Sequence, residues 1–309
     1  MAKEPPMRLT LHQLKVFAAV VKHKNMSRAA EELCMTQPAV SILMKQLENY
    51  YGMPLLEIIG KRIFLTSAGK ELYRATEDII SRLAILDMTF SQMQHCLRGK
   101  LSVAAVTTAK YFMPSLLGKF KQQYPDIEIQ LEITNRGSII QRLQSNLDDL
   151  VIMSQPPENM QIIKHTFIKD ELVIPAPSKH PLAKDKSIPL YGLESERFLL
   201  RELGSGTRMA MEKLFTQNKM SPKIIMELGS NEAIKQAVMA GMGLSLLSKL
   251  SLELELITKR LVILDIKGLP LLHRWYVIYL KDKLLSPIAK EFIKFILPQS
   301  ENKNQEKMI

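Results

Sequence analysis

Three short segments place small hydroxyl or amide residues directly before a predicted helix, which suits the binding of a small anion. They are Thr107-Thr108-Ala109-Lys110, Gly204-Ser205-Gly206-Thr207-Arg208 and Gly229-Ser230-Asn231-Glu232. The first turn of a helix presents backbone N–H groups that lack intrahelical partners, and phosphate or carboxylate groups bind there. Arg136, Arg201 and Arg208 can add the forked donors that match such groups. The sequence therefore predicts a site for a small anionic effector.

The predicted effector-binding residues are Thr107, Thr108, Ala109, Lys110, Arg136, Arg201, Gly204, Ser205, Thr207, Arg208, Asn231 and Glu232. Each segment taken alone is also typical of an ordinary turn or helix cap, because serine, threonine and glycine are common at both. Together, in an α/β module, the segments favour a cleft between two lobes.

The same chain shows no arrangement that is typical of catalysis. Its six histidines are scattered, and none has the spacing of a Ser/His/Asp triad or of a metal site. The segment Gly204–Thr207 lacks the lysine that a Walker-type phosphate loop needs. We therefore expect neither an enzyme nor a bound cofactor or metal.

A second constellation, Met26–Lys45, is typical of a helix-turn-helix. Ser27 is the predicted N-cap of the first helix and Thr36 that of the second, with Pro38 in the first turn of the second helix. Val40, Leu43 and Leu47 are expected to face the core. The outward face then carries Gln37, Ala39, Ser41, Ile42, Lys45 and Gln46. A recognition helix needs short polar and apolar side chains to read base edges, and a cation to contact phosphate.

Two short extended pieces follow, Leu55–Ile59 and Arg62–Thr66, and they predict a hairpin, or wing, with Lys61 and Arg62 at its tip. The predicted DNA-binding residues are Ser27, Arg28, Thr36, Gln37, Pro38, Ala39, Ser41, Lys45, Lys61 and Arg62. An ordinary helical hairpin and a solvated basic turn are the alternatives to this interpretation.

The composition agrees with a polyanion as partner. The chain has 309 residues, 46% of them hydrophobic, and a formal net charge of +11. A net positive charge of this size favours nucleic acid over an acidic membrane surface as the binding partner. Two distant cysteines, Cys34 and Cys96, indicate no disulfide framework. With no hydrophobic signal segment at the N-terminus and no apolar run of about 20 residues, we expect a cytoplasmic protein that has no membrane partner.

Between the two constellations lies a long helix with a dimerising pattern. Its repeat positions, spaced alternately four and three residues apart, are Leu72, Thr76, Ile79, Leu83, Leu86, Phe90, Met93 and Leu97. That repeat predicts a coiled-coil seam and a homodimer. The alternative is a single amphipathic helix that packs on its own domain.

From Lys100 onward strands and helices alternate, which predicts parallel sheets with flanking helices in two small α/β lobes. The expected domains are a winged helix-turn-helix over 1–68, a linker helix over 69–98 and a two-lobe effector domain over 99–309. Within the effector domain, lobe I is expected at about 100–169 and 275–298, and lobe II at about 170–274.

The N-terminal region resembles the LysR-type transcriptional regulators. The matching motifs are Leu11-His12-Gln13-Leu14-Lys15-Val16-Phe17, Ser27-Arg28-Ala29-Ala30-Glu31-Glu32-Leu33, Thr36-Gln37-Pro38-Ala39-Val40-Ser41 and Leu65-Thr66-Ser67-Ala68-Gly69. Ile58 departs from the family, whose wing usually has arginine at that place. The resemblance extends over nearly the whole chain and implies promoter DNA as partner, two Rossmann-like lobes as in periplasmic binding proteins, and commonly a tetramer.

Within that family the sensing half is similar to the CbbR-type regulators of RuBisCO operon genes. The stretches that carry this likeness are Val106–Phe112, Asp148–Met153, Gly204–Arg208 and Glu227–Gln236. It implies an effector that is a phosphorylated metabolite or a nicotinamide nucleotide, and crossing strands near Ile168–Glu171 and Leu271–Trp275. The alternative function is a cytoplasmic small-molecule receptor without DNA-binding output.

Overall fold

The computed structural model describes residues 9–60, 62–93 and 97–297. The chain divides into two compact units, Met1–Phe90 and Ser91–Ile309. The elements of the first unit are α1 (Leu11–His23), α2 (Met26–Glu32), α3 (Gln37–Tyr51), β1 (Leu56–Ile59), β2 (Arg62–Leu65) and the start of α4 (Ser67–Met93). Three helices followed by an antiparallel hairpin make the predicted winged helix-turn-helix.

Helices α2 and α3 are each capped by a polar side chain that precedes the first helical residue. The hydroxyl of Thr36 accepts from the amide of Ala39, so the predicted N-cap of α3 is confirmed. The prediction of Ser27 as N-cap of α2 was wrong. The side chain of Asn25 caps this helix instead, accepting from the amides of Ser27 and Arg28 over 2.9 and 3.1 Å. Asn25 precedes the first helical residue and has the extended backbone that a cap requires.

The core of this unit is closed by α4. Its centre contains Phe17, Val20 and Leu47, which are fully buried. Gly69 permits close approach of α4 to the chain before the wing, since a Cβ there would lie 2.0 Å from the carbonyl oxygen of Leu55. Further along α4, four large apolar side chains of the predicted seam are exposed: Ile79, Leu83, Leu86 and Phe90. The end of the predicted repeat includes residues 94–96, which lie outside the described residues.

The strands of the second unit are β3 (Gly99–Val106), β4 (Ile127–Thr134), β5 (Leu150–Met153), β6 (Ile162–Val173), β7 (Pro175–Pro177), β8 (Arg197–Arg201), β9 (Lys223–Leu228), β10 (Leu247–Ser248), β11 (Leu261–Ile263) and β12 (Leu271–Leu280). Its helices are α5 (Met113–Gln123), α6 (Arg136–Gln144), α7 (Gly206–Gln217), α8 (Asn231–Met239), α9 (Glu253–Ile257) and α10 (Pro287–Ile296), with short 3-10 helices at Thr107–Tyr111, Pro181–Lys184, Leu190–Leu193 and Lys249–Leu252.

A six-stranded mixed sheet, in the order β10-β6-β12-β5-β3-β4, connects the elements of the two lobes. Strand β3 runs parallel to β4 and β5, as βαβ alternation requires. In the first lobe, Phe120 of α5 packs on Phe292 of α10 at 5.0 Å between ring centroids, and α6 covers the other face of the sheet. In the second lobe, β8 is parallel to β9 and is packed between α7 and α8.

The crossing strands are longer than alternation alone predicts. The sequence pattern starts these strands at Leu172 and Trp275, whereas β6 starts at Ile162 and β12 at Leu271. The two strands pair antiparallel along most of their length. Many of their residues are half-buried, so the burial pattern that marks a strand is weak here. The family resemblance, which placed crossing strands near 168–171 and 271–275, predicted these strands better than the alternation of strands and helices did.

Candidate functional site

A narrow cleft lies where β3, β5 and β8 end and α7 begins. Its lining residues are Val106, Thr107, Thr108, Arg136, Met153, Ser154, Gln155, Arg201, Glu202, Ser205, Gly206, Thr207 and His273. Both lobes contribute to this lining. Carboxyl ends of parallel strands and a helix N-terminus at one place are the usual setting of an anion site in an α/β fold.

Arg201, the last residue of β8, lies at the centre of the polar contacts. Its Nε donates to Oε2 of Glu202 over 2.7 Å, and one terminal nitrogen donates to Oε1 of the same carboxylate over 2.8 Å. That nitrogen also donates to the hydroxyl of Thr107 over 3.1 Å, and the other donates to Oδ1 of Asn231. With only 2% of its side chain exposed, Arg201 is a buried cation whose charge is compensated within the protein.

Asn231, the first residue of α8, supports the cleft from behind its lining. Its Nδ2 donates to the hydroxyl of Thr108 over 2.8 Å, and both residues are buried. Beside them, Tyr111 donates from its hydroxyl to Glu232 over 3.3 Å, and Lys235 lies 4.9 Å from the centre of the Tyr111 ring. Burial raises the pKa of Tyr111, so its hydroxyl keeps its proton at neutral pH. These contacts fix the 3-10 helix Thr107–Tyr111 against α8.

The N-terminus of α7 faces the cleft with its first amides uncapped. The N-cap residue, Ser205, makes no side-chain hydrogen bond to the helix. Gln155, which follows β5 in the chain, donates to the carbonyl of Gly206 over 3.1 Å, while its Oε1 is buried without a partner. Arg136 donates from Nε to the carbonyl of Gln155 over 3.3 Å. Helix amides, Arg136 and an unsatisfied amide oxygen can thus contact a ligand that bears both an anion and a hydroxyl.

The floor of the cleft includes His273 of β12, which pairs with Asp170 of β6 in the sheet register. Burial lowers the pKa of His273, and the carboxylate of Asp170 opposes that shift. Asp170 itself accepts from Nε1 of Trp275 and from the hydroxyl of Ser248 over 3.1 and 2.6 Å. A neutral imidazole therefore faces the cleft at pH 7, next to a satisfied buried carboxylate.

Not all predicted effector residues line the cleft. Those that do are Thr107, Thr108, Arg136, Arg201, Ser205 and Thr207. Ala109, Lys110, Gly204, Arg208, Asn231 and Glu232 do not, although Asn231 bonds directly to two lining residues. Arg208 pairs with Glu212 and Glu227 over 2.7 and 2.5 Å. An effector contact by any of these residues stays a prediction.

Sequence reasoning missed several lining residues, chiefly Glu202, His273 and the segment Ser154-Gln155. Glu202 follows a predicted strand and precedes the glycine-containing turn, so its position in the chain was a usable signal. Ser154-Gln155 likewise follows the buried strand β5. No local pattern marks His273, because it joins the cleft through the pairing of β12 with β6.

The candidate DNA-binding surface lies in the first unit. On α3, Gln37, Ile42 and Lys45 are exposed and Ser41 is half-buried, while Val40, Met44 and Leu47 face the core. Ser27, Arg28, Thr36 and Pro38 are exposed and Ala39 is half-buried. Arg62 is exposed on β2, and Lys61 lies outside the described residues. Ile58, at the position where arginine is usual, leaves 65% of its surface exposed. The exposed side chains of α3 are thus mostly polar, and Ile42 is an exposed apolar group among them.

Within the parts of the chain that are described, no group of three His, Cys, Asp or Glu side chains is arranged to hold a metal ion. Among the same residues, no helix is both long and apolar enough to cross a membrane.

Two family models match the chain. Residues 11–70 match that of the bacterial regulatory helix-turn-helix protein, lysR family, and residues 95–301 match the LysR substrate binding domain. Several relatives match over almost all of the chain. The HTH-type transcriptional activator CmpR of Synechocystis is 47% identical over 292 residues, 94% of this chain and 96% of CmpR. The RuBisCO operon transcriptional regulator of Acidithiobacillus ferrooxidans is 44% identical over 291 residues, 94% of each protein.

A solved structure is similar to the second unit. The regulatory domain of CcmR from Synechocystis, in complex with 2-PG, has a TM-score of 0.63 and 46% sequence identity, covering 65% of this chain and 96% of that domain. The likeness therefore covers the part of the chain that contains the cleft.

Proposed function

The chain belongs to the LysR family of DNA-binding transcriptional regulators, and we propose that it controls carbon-fixation genes in response to a small phosphorylated metabolite. Support for the target genes comes from the relatives named above, one of which is a RuBisCO operon regulator. A receptor without DNA-binding output is excluded by family membership. Regulators of this family are generally not enzymes.

The observation that carries the effector class is the convergence of Arg136, Arg201 and the uncapped N-terminus of α7 on one cleft. Two guanidinium groups and free helix amides favour a phosphate group over a neutral ligand. The CcmR regulatory domain, which is 46% identical, was solved with 2-PG, that is, 2-phosphoglycolate. We therefore take 2-phosphoglycolate as the first probe, with nicotinamide nucleotides as the second class to test.

For DNA recognition we propose that α3 enters the major groove with Gln37, Ser41 and Lys45 towards the duplex. These side chains are accessible, and their types suit base edges and phosphate. Arg62 on the wing is accessible to phosphate in the same way. Ile58 cannot replace a guanidinium contact, so we expect the wing of this protein to contribute fewer phosphate contacts than that of an arginine-bearing relative.

The domain division that we propose is 1–68 for DNA binding, 69–98 for dimerisation and 99–309 for effector binding. LysR regulators form oligomers, and the exposed apolar side chains on α4 provide a dimerisation surface. We propose a homodimer that pairs further into a tetramer. A DNA-binding regulator of this family acts in the cytoplasm, and we expect that location here.

Titration calorimetry of the full chain tests the effector class. We expect saturable binding of 2-phosphoglycolate and at least tenfold weaker binding of glycolate, which has the same skeleton without the phosphate. A mobility-shift titration on the DNA upstream of its own gene, with and without 2-phosphoglycolate, tests the output. Equal affinity for glycolate and 2-phosphoglycolate, or a shift that competitor DNA of any sequence removes equally, would contradict the proposal.

A further inference from the structure

The cleft already contains one anion, the carboxylate of Glu202. Both oxygens of this carboxylate accept hydrogen bonds from one edge of the Arg201 guanidinium, over 2.7 and 2.8 Å. The remaining contacts of Arg201 go to Thr107 and Asn231, which are neutral. The forked edge of Arg201 formed by Nε and one terminal nitrogen is therefore occupied by the neighbouring residue.

We propose that Glu202 is a built-in competitor of the effector, which leaves Arg201 when an anion with more than one negative charge enters the cleft. The inference rests on the proposed function of the cleft as an anion site. Its geometry is favourable, because the Glu202 side chain is 26% exposed while that of Arg201 is 2% exposed. A rotation of one side chain can place the Glu202 carboxylate in water, and Arg201 need not move.

The physical reason for such a competitor is the cost of an unpaired buried cation. Without a ligand, a guanidinium that is almost fully buried needs a counter-charge to be tolerated. Glu202 supplies it in the empty state. An entering anion replaces Glu202 as the counter-charge. The free energy gained at Arg201 is therefore the difference between its interaction with the ligand and its interaction with the Glu202 carboxylate.

That difference decides how strongly an anion must bind to occupy the cleft. A ligand with a single carboxylate replaces one carboxylate by another and gains little from Arg201. A phosphate monoester brings close to two negative charges and three acceptor oxygens, so it can bind Arg201 and the amides of α7 at once. Competition by Glu202 weakens the apparent affinity of every anion by the same factor, so it sets the intrinsic affinity that a ligand needs, which a phosphate monoester reaches more easily than a monocarboxylate.

The test is Glu202→Gln in the full chain, compared with Glu212→Gln. Glutamine preserves the shape and one acceptor but removes the charge from Arg201. Glu212 pairs with Arg208, outside the cleft lining, so its replacement removes the same net charge elsewhere. We expect Glu202→Gln to bind inorganic phosphate and 2-phosphoglycolate about tenfold more tightly than the wild type. We expect glycolate to gain by the same factor, because it displaces the same carboxylate, so the ratio of the two affinities stays unchanged, and we expect Glu212→Gln to match the wild type in both.

Thermal stability gives an independent readout. Glu202→Gln is expected to melt at a lower temperature than the wild type without ligand, since Arg201 is then uncompensated, and to gain a larger shift from phosphate. If this variant does not fold, Glu202→Ala is measured in the same way. Unchanged or weaker anion binding in the Glu202 variants, with normal binding in the wild type, overturns the competitor alone. If no anion binds the wild type, Glu202→Gln or Glu212→Gln, the proposed function of the cleft fails and the competitor falls with it.

Discussion

Asn231 and Thr108, which are 123 positions apart in the chain, are joined by a hydrogen bond of 2.8 Å from Nδ2 of the amide to the threonine hydroxyl. The other end of the same amide accepts from Arg201. An amide has one donor end and one acceptor end, so Asn231 matches a hydroxyl on one side and a guanidinium on the other. The segment after β3, the end of β8 and the start of α8 are thereby held together at the cleft.

Asn231→Ala should destabilise the second unit by about 1–3 kcal/mol, because it leaves buried donor groups of Arg201 and a buried hydroxyl without partners. Urea denaturation measures this through the fluorescence of Trp275, the single tryptophan of the chain and a buried residue of this unit. Gln236→Ala is the control, since Gln236 bonds to Glu232 on the exposed side of the same helix. Equal stability of the two variants would show that the Asn231 contacts contribute little.

Arg136→Gln should weaken 2-phosphoglycolate binding by about 10- to 100-fold. Arg136 lines the cleft, and within the described residues no carboxylate forms an ion pair with it, so its charge remains available to a ligand. Titration calorimetry is the measurement. Arg260→Gln removes one exposed positive charge from the same unit away from the cleft lining, and it should bind as the wild type does. If both variants lose affinity to the same degree, the effect is one of net charge and Arg136 makes no direct contact.

The sequence predicted the winged helix-turn-helix well because its signals are local: Thr36 before a helix, Pro38 in its first turn, and apolar residues at helical spacing. It predicted part of the cleft lining for the same reason, through the small hydroxyl residues Thr107, Ser205 and Thr207 at the starts of helices. Other lining residues depend on long-range pairing. His273 joins the cleft because β12 pairs with β6, and no short pattern encodes that register. Local patterns also could not show that Glu202 would fold back onto the preceding arginine.

Gln37→Ala and Ser41→Ala should each weaken specific DNA binding by roughly 1–3 kcal/mol without changing the fold. Both residues lie on the proposed reading face of α3. The measurement is fluorescence anisotropy on an operator selected from random DNA, at fixed salt because phosphate contacts depend on it. Asn49→Ala, an exposed polar residue near the end of the same helix, is the control. Unchanged operator affinity in both variants would mean that another face of α3 reads the DNA.

Leu86→Glu should shift the protein towards monomers. Leu86 is 50% exposed and Phe90 is 59% exposed on the predicted seam of α4, and a charge buried between two such helices has no partner. Sedimentation velocity across a range of protein concentrations measures the association. Ser81→Glu places the same charge on the opposite side of this helix, where Ser81 is exposed, and should leave the assembly unchanged. Identical sedimentation of Leu86→Glu and wild type would remove this face from the dimer interface.

Acid should destabilise the second unit through His273, whose pKa is lowered by burial at the cleft floor despite the nearby Asp170 carboxylate. An unfolded chain protonates histidine below about pH 6.5. Between that value and the lower pKa of the folded state, the unfolded chain binds more protons, so the free energy of unfolding falls as the pH falls, by at most about 1.4 kcal/mol per pH unit. Urea denaturation at pH 7.5 and pH 5.5, followed through Trp275, should therefore show a larger loss for the wild type than for His273→Gln, which cannot take up the proton. Equal losses would mean that the imidazole is protonated as readily in the folded cleft as in the unfolded chain.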